Sequence, residues 1–278
     1  MSLHESFWTY AGYRWLKVTA AILVAALVAY IGTAPVGGHN GGTWLGYTLG
    51  TVGAALILWL TWFGVRKRSY YSAGAPLRGW LSAHVYLGLG LILLVPLHSG
   101  FQFGWNVHTL AYVLMSLVIL SGIFGVSVYT SLPRQMTENR PGEKLDALLQ
   151  RIAQIDAITQ NVAAELPDTV AAAVDVSVNE THIGGGILRQ LSGRDPRCGT
   201  RRAVESIASE LPSLAPDERE RVQPVLEELG VKRTLLRRVR RDAQMKAMLD
   251  LWLVVHVPLA IATVAALATH VFVVFYYR

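Results

Sequence analysis

What this chain lacks is charge, over three long stretches. No Asp, Glu, Lys or Arg occurs between Val18 and Val65, between Gly79 and Pro133, or between Leu251 and Tyr277. A water-soluble fold does not leave such gaps, whereas a bilayer core excludes charge at about 2.5–3.5 kcal/mol per residue on insertion scales. Acid is scarce outside one region: seventeen of the nineteen Asp and Glu residues lie between Pro133 and Lys246, leaving only Glu5 and Asp250 elsewhere. Cysteine is nearly absent. Cys198 alone forms no internal disulfide, and it reads as a buried, inert thiol. A basic surface for nucleic acid is also missing. The net charge of +6 is spread unevenly, and residues 132–246 hold eighteen basic against seventeen acidic side chains.

What is present is apolar length. The chain is 52% hydrophobic with a mean hydropathy of +0.36. Five segments are predicted to cross a membrane, at about residues 16–34, 44–65, 80–103, 107–131 and 248–276. The expected fold class is therefore an all-α integral membrane protein with three regions: helices 1–4 over residues 1–131, a polar insertion over 132–246, and helix 5 over 247–278. Arg14 and Lys17 stand ahead of the apolar run VTAAILVAALVAYIGTA, which reads as a retained anchor rather than a cleaved leader. Basic residues flank the start of helix 1, the loop between helices 2 and 3 and the insertion, and the two other loops have none. By the positive-inside rule the N-terminus and insertion are expected in the cytoplasm and the C-terminus outside a cell membrane.

The insertion is expected to be mainly helical. EKLDALLQRIAQIDAITQNVAAEL carries apolar residues at three- and four-residue spacing, and RRAVESIASEL reads as a further helix. The Gly-rich stretch from Pro167 to Thr200 is expected to hold short strands or a partner-binding loop. The final stretch, from Pro216, is expected to be helical with a break near Pro224 or Gly230 and to continue into helix 5. Its six basic residues between Lys232 and Arg241 suit the inner membrane surface, where each adds about 1 kcal/mol with anionic lipid. A simple topology anchor accounts for them as well.

Two of the apolar segments carry paired histidines. His84 and His98 lie fourteen residues apart on helix 3, and His256 and His270 lie fourteen apart on helix 5. That spacing is close to four turns, so each pair shares a helix face and is separated by about 21 Å along the axis. Helices 3 and 5 run in the same direction, which matches His84 with His256 near the inner side and His98 with His270 near the outer side. Between them the same faces carry Gly88, Leu91 and Val95, and Ala260, Thr263 and Leu267. Pro96 and Pro258 each sit two residues from a histidine and remove a backbone hydrogen bond. Hydrogen-bonded packing explains one membrane histidine well; four in two equal spacings point to function. Two imidazoles at each of two levels suit two separate haems, whereas structural zinc needs four close ligands. With no CxxCH motif, any haem is held non-covalently.

The two H-x13-H helices in a small bundle resemble the di-haem transmembrane cytochrome b superfamily, which includes quinol-oxidising cytochromes b and ferric reductase-like membrane domains. The resemblance covers helices 2 to 5 and implies a four-helix haem-binding bundle. It also implies two b-type haems on His84, His98, His256 and His270, and electron transfer across the membrane. The chain departs from the family in its long insertion. It also lacks a flavin or nicotinamide domain, since GGG at 184–186 is not set between a strand and a helix. A cytoplasmic redox subunit docking on residues 132–246 is the expected partner, with a quinone as a further expected ligand.

Other candidate residues carry weaker signals. His108, at the outer end of helix 4, suits a replacement haem ligand, a haem propionate or a quinone near Tyr112, and equally an interfacial histidine bonded to water. Arg66, Arg68 and Arg78 suit inner propionates, although topology explains them too. Gly46, Gly50, Gly53, Gly122 and Gly125 permit close approach of a cofactor or of another helix. Two rival functions remain at this point. One is a ferric or cupric reductase acting at the outer face; the other is a membrane sensor or scaffold whose histidines bind no haem.

Overall fold

The computed structural model describes residues 6–68, 76–139 and 143–276. Among them 82% are helical and none is in a strand, so the fold is all-α. The helices are α1 (Tyr10–Gly32), α2 (Trp44–Arg68), α3 (Leu77–Ser99), α4 (Val107–Asn139), α5 (Leu145–Ala163), α6 (Asp168–Asn179), α7 (Ile187–Ser192), α8 (Gly199–Glu210) and α9 (Pro216–Tyr276). Five of them, α1 to α4 and α9, are long and apolar enough to cross a membrane, as expected of a multi-pass membrane protein.

The chain divides into two compact units, residues 1–124 with 253–278, and residues 125–252. The first is built around α3. Of its apolar window 44% is buried, against 11–17% in the other four helices, so α3 is the element the others cover. Ala83, Leu87, Leu91, Leu94 and Leu97 recur every three or four residues and pack with Ala26 of α1, Leu45, Leu49 and Leu60 of α2, and Met115 of α4. Large apolar side chains such as Val28, Ile31, Leu58, Trp62, Leu120 and Phe275 point outward. Lipid tails are as apolar as these side chains, so the association of such helices rests on close packing and hydrogen bonds.

The backbone is left-handed at Ala11, Gly12 and Tyr13, so regular helix in α1 starts only after Tyr13. Apolar length predicts a third helix reaching Phe103, but α3 stops at Ser99. Gly100 adopts a left-handed φ of 62°, its N–H donates to the Leu97 carbonyl, and the Phe101 N–H donates to the Pro96 carbonyl at 3.0 Å.

In the second unit, α5, α6, α8 and the first half of α9 share two apolar clusters. Ala163, Val170, Val174, Ala203, Ile207, Val222 and Leu229 form one, and Leu148, Ile152, Ile155, Cys198, Leu236 and Val239 the other. Two expectations are corrected here. The stretch after Pro167 holds α6 and α7 instead of strands, because Val170, Ala173, Val174 and Ser177 fall on one buried helical face. The expected break at Pro224 or Gly230 does not occur, and α9 runs through both. Pro224 forfeits one backbone bond, but Val222, Val225 and Leu229 are buried on either side of it and hold the helix.

A buried ion pair ties these helices. Lys232 is 1% exposed, and its ammonium donates to Asp156 Oδ1, to the Ser177 carbonyl at 2.9 Å and to Ser177 Oγ at 3.1 Å. Lys232→Met leaves the Asp156 carboxylate and the Ser177 carbonyl facing a thioether, and is expected to destabilise this unit by about 3 kcal/mol. A thermal melt of the full chain in detergent checks it, and Lys232→Met with Asp156→Leu should recover part of the loss. A second carboxylate, Asp195, accepts from Arg189 at 2.5 Å and from Arg240 at 2.9 Å. Burial alone raises its pKa, but the Arg189 hydrogen bond and the charges of Arg240 and Arg189 outweigh this and hold it below the usual 3.8. A depressed folded-state pKa stabilises fully at neutral pH and fades as pH falls below about 4. Asp195→Asn should therefore lower the melting temperature at pH 7, with the gap to wild type narrowing as the pH approaches 3.

Candidate functional site

The histidines of the membrane unit sit at two levels along α3. At its C-terminal end, the His98 Nδ1 lies 2.7 Å from the Gly46 carbonyl of α2. A carbonyl only accepts, so Nδ1 carries the hydrogen and the lone pair of the neutral ring is on Nε2. The ring fits there because α2 has glycine where it passes. A Cβ on Gly50 would stand 2.6 Å from His98 Cε1, closer than carbon atoms approach. The His270 ring of α9 lies 6.1 Å from the His98 ring, centre to centre, with the planes at 87°. His108, exposed at the start of α4, bonds His270 through the two Nδ1 atoms, with the rings 4.4 Å apart. Phe103 and Tyr112 pack 5.2 Å apart.

At the other level, the His84 Nδ1 is buried with no hydrogen-bond partner of good geometry, and its ring packs 5.0 Å from that of Phe63. His256 of α9 is near enough for the two rings to interact electrostatically. The His256 Nδ1 lies 2.7 Å from Ser121 Oγ of α4. That hydroxyl also lies 2.8 Å from the Val118 carbonyl, which can only accept. Its single hydrogen is taken there, so Ser121 accepts from the His256 Nδ1–H and again leaves the lone pair on Nε2. Gly122 adds room, since a Cβ there would stand 3.6 Å from His256 Cε1.

No family model, curated protein or solved structure matches the chain. The reading of the site therefore rests on its own chemistry. Among the described residues no group of three or more His, Cys, Asp or Glu has the spacing to hold a metal ion by itself. The histidines gather at two levels instead: His98 of α3, His270 of α9 and His108 of α4 at one, and His84 of α3 with His256 of α9 at the other. Two features suit haem iron: Nδ1 bonds that turn the lone pairs of His98 and His256 to Nε2, and a glycine cradle around His98.

The remaining sequence candidates are placed as follows. Leu91 and Thr263 are buried, and Gly88 faces Leu60, whose Cδ1 would stand 3.9 Å from an added Cβ. Arg66 is half-buried near the end of α2 and Arg78 is exposed in the first turn of α3; each has an interacting neighbour. The side chain of Arg68 lies outside the described residues. Sequence reasoning missed Ser121, the Gly46 carbonyl and Phe63 as partners of the histidines. Ser121 did carry a signal, a hydroxyl in the middle of an apolar span; a backbone carbonyl carries none.

The cradle is open to test by one methyl group. Gly50→Ala should push the His98 ring from its place and cost about 1–3 kcal/mol of overpacking, read as a lower melting temperature in detergent. Gly64→Ala on the same helix, with nothing within 4 Å of the new Cβ, should leave it unchanged.

Proposed function

We propose that this protein is the membrane subunit of an electron-transfer system, a b-type di-haem cytochrome. His84 and His256 are to hold one haem and His98 and His270 the other. The observation that carries this reading is the pairing of histidines across α3 and α9, with Nδ1 tied on His98, His256 and His270. Bound haem would supply a one-electron centre at each level, and ligation by two histidines, His84 with His256 and His98 with His270, would suit electron transfer over oxygen chemistry.

The chain's own residues do the rest. The Gly46 carbonyl and Ser121 fix the rotation of two rings, and a fixed ring holds its lone pair in one direction. Gly50 lets α2 close on His98, and the buried Leu91 and Thr263 between the levels keep water out. The basic residues of the loops favour a cytoplasmic insertion, so electrons pass between a quinone or outer redox partner and a cytoplasmic protein docked on residues 132–246. The exposed His108 bonded to His270 favours a second reading for the outer end, reduction of ferric or cupric ions there. Reoxidation of the reduced protein by those ions, compared with an added quinone, separates the two.

Reduced-minus-oxidised spectra of single variants test the ligand assignment. His84→Ala and His256→Ala should each remove about half of the b-type α-band, and His98→Ala and His270→Ala the other half. An unchanged band in all four variants would sink the assignment.

A further inference from the structure

Away from the histidines, one shallow, solvent-open cleft in the second unit gathers charge. It is lined by His182, Gly184, Arg189, Arg194, Asp195 and Arg240, among others. Asp195 is its anchor: the carboxylate side chain is 3% exposed and takes Arg189 on Oδ1 and Arg240 on Oδ2. The Arg240 Nη2 also donates to Cys198 Sγ at 3.3 Å and to the His182 carbonyl at 3.4 Å.

Those bonds use one nitrogen of each guanidinium. A guanidinium has five N–H donors, so both keep donors with no partner among the described residues. The exposed side chain of Arg194 has no partner there at all. Three guanidiniums therefore stand against one carboxylate, and the cleft keeps a charge of +2 before His182 is considered. Two of the three are held by a buried acid, so little side-chain entropy is lost when they take a ligand. A planar, donor-only fork on a fixed stem matches the oxygens of a phosphate. No aromatic ring lines the cleft beyond the His182 imidazole and its only apolar side chain is Ala243, so there is no wall for a nucleobase.

We propose that this cleft binds a phosphate group, with Arg194 supplying the free charge and Asp195 holding Arg189 and Arg240 in position behind it. The group comes either as free phosphate or as the headgroup of an anionic lipid. The proposal stands apart from the haem reading and is tested without it.

The test is a titration of the full chain in neutral detergent at constant ionic strength, followed by thermal shift and calorimetry. Inorganic phosphate is used in one arm and a short-chain phosphatidic acid below its micelle concentration in the other. Saturable binding is expected, weakened about tenfold by Arg194→Gln, the loss of one charge-assisted hydrogen bond. Arg221→Gln, an exposed arginine on the first turns of α9, serves as the charge-matched control and should leave binding unchanged. Phosphatidic acid binding at least tenfold tighter than phosphate identifies a lipid source, and equal or weaker binding identifies free phosphate. The proposal is overturned if neither ligand saturates, or if Arg194→Gln and Arg221→Gln bind like wild type.

Discussion

A helix inside a bilayer spends its backbone hydrogen bonds on itself, so an imidazole carried by one has few groups to bond. In this protein that shortage decides how the histidines stand. His98 finds the Gly46 carbonyl, which has a lone pair to spare beyond its helical bond, and reaches it because Gly50 has no side chain. His256 finds Ser121, a hydroxyl whose own hydrogen is committed to Val118. In both cases the partner takes Nδ1 and turns Nε2 into the acceptor. The helices are thus placed by what the imidazoles need: α2 close to the end of α3, and α4 beside α9.

The second unit meets the opposite problem. Its helices carry charge in abundance, and two buried contacts pair it. Lys232 and Asp156 close one contact deep between α9 and α5, and Asp195 gathers two arginines at another. Pairs of this kind stabilise little beyond well-packed apolar side chains, but removing one partner strands the other, so they fix register. Both units therefore use polar groups in an apolar interior as fixed points, imidazoles in one and ion pairs in the other.

The membrane helices were legible in the sequence because charge exclusion acts residue by residue and leaves a long, unbroken mark. Their ends were less so. The sequence carried α3 on to Phe103 since nothing apolar stops there, yet Gly100 turns left-handed and closes the helix. The glycines at 184–186 argue for loop or strand locally, whereas the helical spacing of Val170, Ala173 and Val174 packs that part of the chain as α6. Pro224 read as a break because the rule for proline is local, whereas the burial that overrides it comes from other helices. At the site, the four paired histidines were visible from their spacing alone. Their partners were not, since Gly46 acts through its carbonyl and Ser121 through a position that only the crossing of α4 and α9 defines.

The central claim is that these paired histidines hold haem. The most direct measurement is the haem-to-chain ratio of the intact protein, purified in mild detergent from haem-replete cells and assayed as the pyridine haemochrome. About two non-covalent b haems per chain are expected, one for each level of histidines. A folded, monodisperse preparation that carries none would contradict it.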